Sequence, residues 1–301
     1  MTLNNIQTVT LSSALEKFLI AKRAQRLSDH TLRDYRNTFK KFVRFVGEDC
    51  DINRLDSSII ASFLAEANNV SKKTILNYHT GLSSFWNYLV EVGVVENNIV
   101  RLVKPPRPDE RQILPFTRQD VVAILGATKD RQYEIRDRAI ILLLLDTGVR
   151  SDELCSLKLK NISLDNSRIV VKGKGDKERK LPICDATHDA LQLYIKARRL
   201  NKTKDYNAHI FMTSAGKAIN RAGLLNLMGR IGIRSDVPNC HPHRFRHTFA
   251  IQFLRNGGNV YTLQALLGHT TLDMVKRYLA IAQTDLERDH DRASPVKRWG
   301  L

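Results

Sequence analysis

The chain is poor in cysteine, with Cys50, Cys155, Cys184 and Cys240 as the four thiols in 301 residues and no C-x-x-C pair among them. That spacing excludes a zinc finger or ribbon and a disulfide framework, and it is what structural thiols in a reducing compartment look like. Long apolar runs are missing too: the longest, Ala139 to Leu145, falls far short of the roughly 20 residues that cross a bilayer. Met1-Thr2-Leu3-Asn4-Asn5 offers neither a basic region nor an apolar core of signal-peptide length, so secretion is not expected and a cytoplasmic location is. Acidic side chains are scarce, 31 against 48 Lys and Arg, and the formal charge is +17. Such a balance favours a polyanionic partner. The excess is uneven: residues 1–100 hold 12 basic and 10 acidic side chains, so nearly all of it belongs to the remainder.

What is present in abundance is helical periodicity. At 301 residues the chain exceeds one ordinary core, and two domains are the default. From Leu11 to Val95 four polar starts precede apolar periodicity, at Leu11-Ser12-Ser13, Ser28-Asp29, Asp56-Ser57 and Ser71, and they predict four helices. The second, from about Thr31 to Val46, sets Leu32, Tyr35, Phe39 and Phe42 opposite Arg33, Arg36, Lys40, Lys41 and Arg44. The fourth, from about Lys72 to Val92, leaves Lys72, Lys73, Asn77, His79 and Thr80 free beside its apolar face. These basic faces predict DNA contacts through Arg33, Arg36, Lys40, Lys72, Lys73 and Asn77, although a charged helix face is ordinarily just solvated.

Residues 104–108 read K-P-P-R-P, which neither continues a helix nor joins a sheet interior. The expected organisation is a helical domain over residues 8–102, a basic linker over 103–116, a second domain over 117–292 and a tail over 293–301. In the second domain the strand-like runs Arg168 to Val171 and Lys180 to Ile183 flank Gly173-Lys174-Gly175-Asp176 and predict a basic hairpin. Helices dominate the rest, so the fold class is mainly α with a small antiparallel β-sheet.

Within residues 241–278, His243, Arg246, His269 and Tyr278 follow one another as H-x-x-R, G-H and Y, with Arg150 upstream in Thr147-Gly148-Val149-Arg150. Each alone has a bland explanation, since a tyrosine at helical spacing ordinarily packs and a G-K-G hairpin is ordinarily a turn. Together they supply what phosphodiester cleavage through a covalent intermediate needs: a nucleophile, charge neutralisation at phosphorus and a proton for the leaving oxygen. Arg150 and Arg246 suit the non-bridging oxygens, because a planar guanidinium donates two parallel hydrogen bonds. Tyr278 is the candidate nucleophile. Lys174 is the candidate acid, with Lys177 on the same turn as its rival. His243 is placed to accept the tyrosine proton, His269 to donate to a phosphate oxygen, and Glu153 to orient an arginine or a histidine. Arg244 and Lys177 are candidate contacts to backbone phosphates, and His247 is expected to be packed or hydrogen-bonded within the fold. No metal or cofactor is expected.

The succession of Thr147-Gly148-Val149-Arg150, Gly173-Lys174-Gly175, His243-Arg244-Phe245-Arg246-His247 and Leu267-Gly268-His269 through Tyr278 resembles the tyrosine recombinase, or phage integrase, family, in particular its Xer-type and simple integrase members. The likeness covers about residues 10–290. It implies a SAM-like, core-binding N-terminal bundle and an α+β catalytic domain, with Arg150, Lys174, His243, Arg246, His269 and Tyr278 in the six family positions. Phe245 stands where an aliphatic residue is common, which alters packing rather than chemistry. The likeness favours Lys174 over Lys177. It further implies site-specific recombination through a 3′-phosphotyrosine and a Holliday junction, for integration, excision or resolution, often on a mobile element. The partners it implies are duplex DNA with paired sites, gripped by a C-shaped clamp, and a homotetramer that exchanges C-terminal segments such as Thr284 to Arg292. The alternatives are relaxation of DNA in the manner of a type IB topoisomerase and a catalytically silent DNA-binding protein.

Overall fold

The computed structural model of the chain describes residues 9–48, 50–107, 114–129, 131–173, 177–200, 205–268, 273–282, 290–291 and 294–300. It divides into two compact units, Met1–Arg111 and Gln112–Leu301, the division falling within the proline-rich segment. The fold is mainly helical with one small antiparallel sheet, and among the described residues no helix is long and apolar enough to cross a membrane.

In the first unit, α1 (Leu11–Ala24), α2 (Asp29–Val46), α3 (Ser57–Glu66) and α4 (Lys72–Glu91) form a bundle. The start signals are physical caps. Ser28 accepts from the Thr31 amide, Asp56 from the Ser58 and Ile59 amides, and Ser71 from the Thr74 amide, each satisfying a donor left over in a first helical turn. The first helix is capped by Thr10, one position earlier than the sequence suggests. Aromatic side chains fill the interior. Phe18 meets Tyr35, Phe39, Phe85 and Tyr88 edge-on with ring centroids 5.2 to 5.6 Å apart, the geometry that ring quadrupoles favour. His79 is not free, as its ring Nε2 lies 3.0 and 2.7 Å from the Val100 and Val103 carbonyls and pins the following 3-10 turn to α4.

The second unit is built around α6 (Glu134–Thr147), a helix with apolar side chains on every side; Ala139, Ile140, Ile141, Leu143 and Leu144 are fully buried. α8 (Asp185–Ala197) and α10 (Pro242–Arg255) pack on it, and the unit's other helices are α5 (Arg118–Gly126), α7 (Ser151–Cys155), α9 (Arg221–Arg234), α11 (Val260–Leu267), α12 (Asp273–Ala282) and α13 (Pro295–Trp299). The sheet orders β1 (Ile162–Ser163), β2 (Arg168–Lys172) and β3 (Glu178–Pro182), all antiparallel, with Val171 opposite Arg179 and Lys172 opposite Glu178. The Gly173 amide donates to the Lys177 carbonyl at 2.8 Å and closes the neck of the hairpin. The hairpin tip at 174–176 and most of the helix expected over Thr284 to Arg292 lie outside the described residues. Trp299 is largely exposed.

Candidate active site

Three elements carry the central groups. Gly148 ends α6 in the left-handed conformation at φ +59, so the chain reverses and Arg150 opens α7. Pro242 starts α10 and puts His243, Arg246 and His247 on one face, three and four residues apart. Tyr278 comes from α12 and is 4% exposed.

Glu153 organises the positive side. Its Oε2 accepts from the Arg150 amide at 2.8 Å and its Oε1 from Arg150 Nη1 at 3.0 Å. Arg179, on β3, grips the same carboxylate with both ends of its fork, Nη1 to Oε1 at 2.7 Å and Nη2 to Oε2 at 2.8 Å. The Glu153 side chain is 3% exposed. Burial pushes its carboxyl up, but the Arg179 hydrogen bond, the Arg150 amide and the two positive charges outweigh that and hold it below the ordinary range.

The same arginines close the end of α11. Arg179 Nε donates to the Leu266 carbonyl at 2.8 Å, Arg246 Nη2 to Leu267 at 2.8 Å and Arg150 Nη2 to Gly268 at 3.2 Å. Those are carbonyls that a helix leaves without partners, at its negative end. Arg246 also donates to the Gly148 carbonyl at 2.6 Å, which ties α10 to the turn before Arg150. Burial and the neighbouring Arg150 charge lower the Arg246 guanidinium to about 10, so it remains protonated at neutral pH.

His247, rather than His243, meets the tyrosine. Its Nδ1 lies 2.9 Å from the Tyr278 hydroxyl, while His243 is exposed with its ring centroid 6.5 Å from that of His247. Burial, with the charges of His243, His241, Arg246 and Arg277, lowers His247 to about 4. The ring is therefore neutral, and in the tautomer protonated at Nε2 its Nδ1 accepts the phenol proton. Burial raises the Tyr278 hydroxyl, and the charges of Arg246, Arg277 and Arg150 work against that rise.

Arg150, Glu153, Arg246 and Tyr278 thus come together in one unit. Lys174 and His269 lie outside the described residues, but their chain neighbours are at the site. A Cβ added at Gly173 would sit 3.8 Å from Glu153 Oε1, and Gly268 carries the carbonyl that Arg150 holds. Lys177 is exposed on the hairpin. Arg244 corrects the expectation of a phosphate contact: its guanidinium turns inward, donating to the Leu114, Pro115 and Pro238 carbonyls and lying 4.1 Å over the Phe116 ring. Arg179 escaped sequence reasoning, and His247 was expected to be hydrogen-bonded within the fold without the tyrosine as its partner. Arg179 had a signal, a charge two positions before buried Leu181 and hence on the inward face of its strand. His247 is one helical turn after His243. Among the described residues no group of three His, Cys, Asp or Glu side chains is placed to hold a metal ion.

The sequence pattern of the phage integrase family matches residues 115–285, and that of its N-terminal SAM-like domain matches residues 14–94. The chain belongs to the phage integrase family. A tyrosine recombinase of Thermosipho africanus is 31% identical, over 91% of this chain and 94% of that one. The tyrosine recombinase XerC of Pelobacter propionicus is 29% identical, over 91% and 92%. The solved structure of the Tn1549 transposon integrase with transposon right end DNA shares the fold at a TM-score of 0.78 and 21% identity, over 97% of this chain and all of that one. This is a tyrosine-type site-specific recombinase with a SAM-like helical bundle and an α+β catalytic domain.

Proposed function

We propose that Tyr278 is the nucleophile of the recombination reaction. The observation that carries this is the contact between its hydroxyl and a neutral histidine, His247, inside the unit that also holds Arg150 and Arg246. The tyrosine oxygen attacks the scissile phosphorus while its proton passes to His247. Arg150 and Arg246 exchange some of their carbonyl contacts for the non-bridging phosphate oxygens, where paired guanidinium donors stabilise the charge of the transition state. The 5′ oxygen departs with a proton from Lys174, leaving a 3′-phosphotyrosine whose bond energy is retained. The 5′ hydroxyl of a second strand then attacks the phosphotyrosine, and Tyr278 recovers its proton. His243 and His269 serve as further donors to the phosphate.

Duplex DNA is the substrate in this reading, which is supported by the likeness in fold to the Tn1549 transposon integrase, solved in complex with transposon right end DNA. In the first unit, a groove of about 830 Å3 between α2 and α4 is lined by Lys40, Lys41, Arg44 and Asn77, and it suits contact with the phosphate backbone. Arg33, Arg36, Lys72 and Lys73 are exposed outside that groove and extend the same basic surface; in the second unit, Lys177 is exposed on the hairpin. Residues 103–116 link the two domains. Strand exchange proceeds one strand at a time through a Holliday junction, in a homotetramer on paired sites whose protomers exchange C-terminal segments.

A nicked suicide duplex tests the assignment. The wild-type chain is expected to form a covalent protein–DNA adduct and Tyr278→Phe to bind the duplex without forming one. An adduct with Tyr278→Phe would remove Tyr278 from the mechanism. Relaxation of a plasmid that lacks any recognition site would favour topoisomerase chemistry instead.

A further inference from the structure

Guanidinium groups also gather far from the catalytic cluster. At the opposite end of α6, which at its length sets the two places about 20 Å apart, a cavity of about 440 Å3 is lined by Arg131, Arg136, Arg230 and Arg234, with Asp137 as the one acidic side chain among the described residues that line it.

That carboxylate is already engaged. Arg136 binds it through Nε at 2.8 Å and Nη2 at 2.7 Å, donates through Nη1 to the Met212 carbonyl at 2.9 Å, and stacks 4.4 Å over the Tyr133 ring. Arg136 is nine-tenths buried and fixed from three sides, so it makes a rigid positive floor. Arg131, Arg230 and Arg234 stand exposed at the mouth, and none of their side chains has a hydrogen bond or an ion pair among the described residues. Arg230 and Arg234 are four apart on α9, a spacing at which like charges repel across one helical turn. Burial and the charge of Arg131 hold the Arg234 guanidinium below its ordinary value. The described lining therefore carries a net charge of +3, four guanidiniums against one carboxylate, at a concave place that also presents the amide of Asn226 and the hydroxyl of Ser214. Solvent alone gains nothing from such a grouping. An anion with several oxygens is what complements it, because forked donors on different elements can reach different oxygens.

We propose that this cavity is a second phosphate-binding site, distinct from the scissile-phosphate site, and that its ligand is a phosphate-type oxyanion. The source is either a DNA backbone phosphate away from the cleaved bond or a free polyphosphate, and two measurements on the full chain separate them. In the first, inorganic pyrophosphate is titrated calorimetrically without DNA into wild type, Arg230→Gln/Arg234→Gln and Arg150→Gln. Both substituted residues of the double variant are exposed, so its fold is retained, and circular dichroism checks this. The expected result is saturable binding that weakens at least tenfold in the double variant and persists in Arg150→Gln. In the second, duplex affinity is followed against salt, where each phosphate contact contributes about 0.9 to the logarithmic slope. A slope reduced by about 1 to 2 in the double variant, with pyrophosphate competing, assigns the site to backbone phosphate. An unchanged slope with pyrophosphate binding lost assigns it to a free anion. Identical pyrophosphate binding and identical slopes in wild type and double variant would overturn the proposal. Neither measurement involves cleavage, so the outcome is independent of the role of Tyr278.

Discussion

Replacing Arg179 by alanine removes three hydrogen bonds at once, two to the Glu153 carboxylate and one to the Leu266 carbonyl. Glu153 keeps the Arg150 amide at 2.8 Å and Arg150 Nη1 at 3.0 Å, so its charge is weakened in compensation rather than abandoned. Breaking a buried pair by deleting one partner typically costs 3 to 5 kcal/mol, and with the Arg150 contacts retained the expected loss is about 2 to 4 kcal/mol at neutral pH. With a urea slope of roughly 2 to 3 kcal/mol per molar for a unit of this size, the midpoint falls by about 1 M. Circular dichroism is the suitable probe, because Trp86, the buried tryptophan, reports on the other unit. The pH dependence is more diagnostic. In the wild type the Glu153 carboxyl lies below its ordinary value, so its contribution is present above the unfolded pKa and is lost as pH falls through the lower, folded one. Without Arg179, burial is opposed by the Arg150 amide and charge alone, and the carboxyl moves up. The variant's deficit is then greatest at neutral pH and shrinks as the carboxyl takes up a proton. Stability of both proteins at pH 7.5 and pH 4.5 decides the matter. Equal midpoints at pH 7.5, or a deficit that grows on acidification, would refute the reasoning. Glu153→Gln in the Arg179→Ala background should recover part of the loss.

Two other substitutions probe the same unit. Gly148→Ala places a Cβ at positive φ and 2.6 Å from Phe249 Cδ1, so a loss of about 1 to 3 kcal/mol is expected together with slower adduct formation, both measured on the purified variant; unchanged stability would mean that the turn is not constrained. His247→Gln should slow adduct formation by roughly a hundredfold if the ring takes the tyrosine proton. In the wild type, because His247 titrates near 4, single-turnover cleavage between pH 8 and pH 6 should show no loss attributable to it; a rate falling with an apparent pKa near 6.5 that disappears in His247→Gln would contradict the neutral ring.

The helices of both units were legible because their starts are chemical. Ser28, Asp56 and Ser71 are caps in the sequence and in space, and the all-round apolar stretch of α6 announces a buried element. β1 was not legible, since two residues carry no period and exist as a strand only through pairing with Ile169 and Arg168. At the site, the order of Arg150, Arg246 and Tyr278 could be read, but their surroundings could not. Whether Arg244 faces DNA or the Leu114 carbonyl depends on how α10 is rotated, and whether His243 or His247 meets Tyr278 depends on how α12 is docked. Both are settled by packing across more than 30 residues of sequence, as between His247 and Tyr278. Arg179 sits on a strand whose partner Glu153 is 26 positions away, beyond the reach of any local pattern.

The Leu266, Leu267 and Gly268 carbonyls are held in succession by Arg179, Arg246 and Arg150. Local melting of the end of α11 would therefore loosen all three guanidiniums together, leaving Arg150 and Arg179 on Glu153 and Arg246 on the Gly148 carbonyl, and its refolding would restore the shared contacts together. The readiness of the arginines for a phosphate and the integrity of one short helix end are thus a single equilibrium. Amide protection at the end of α11 should consequently rise and fall with the capacity of the protein to cleave.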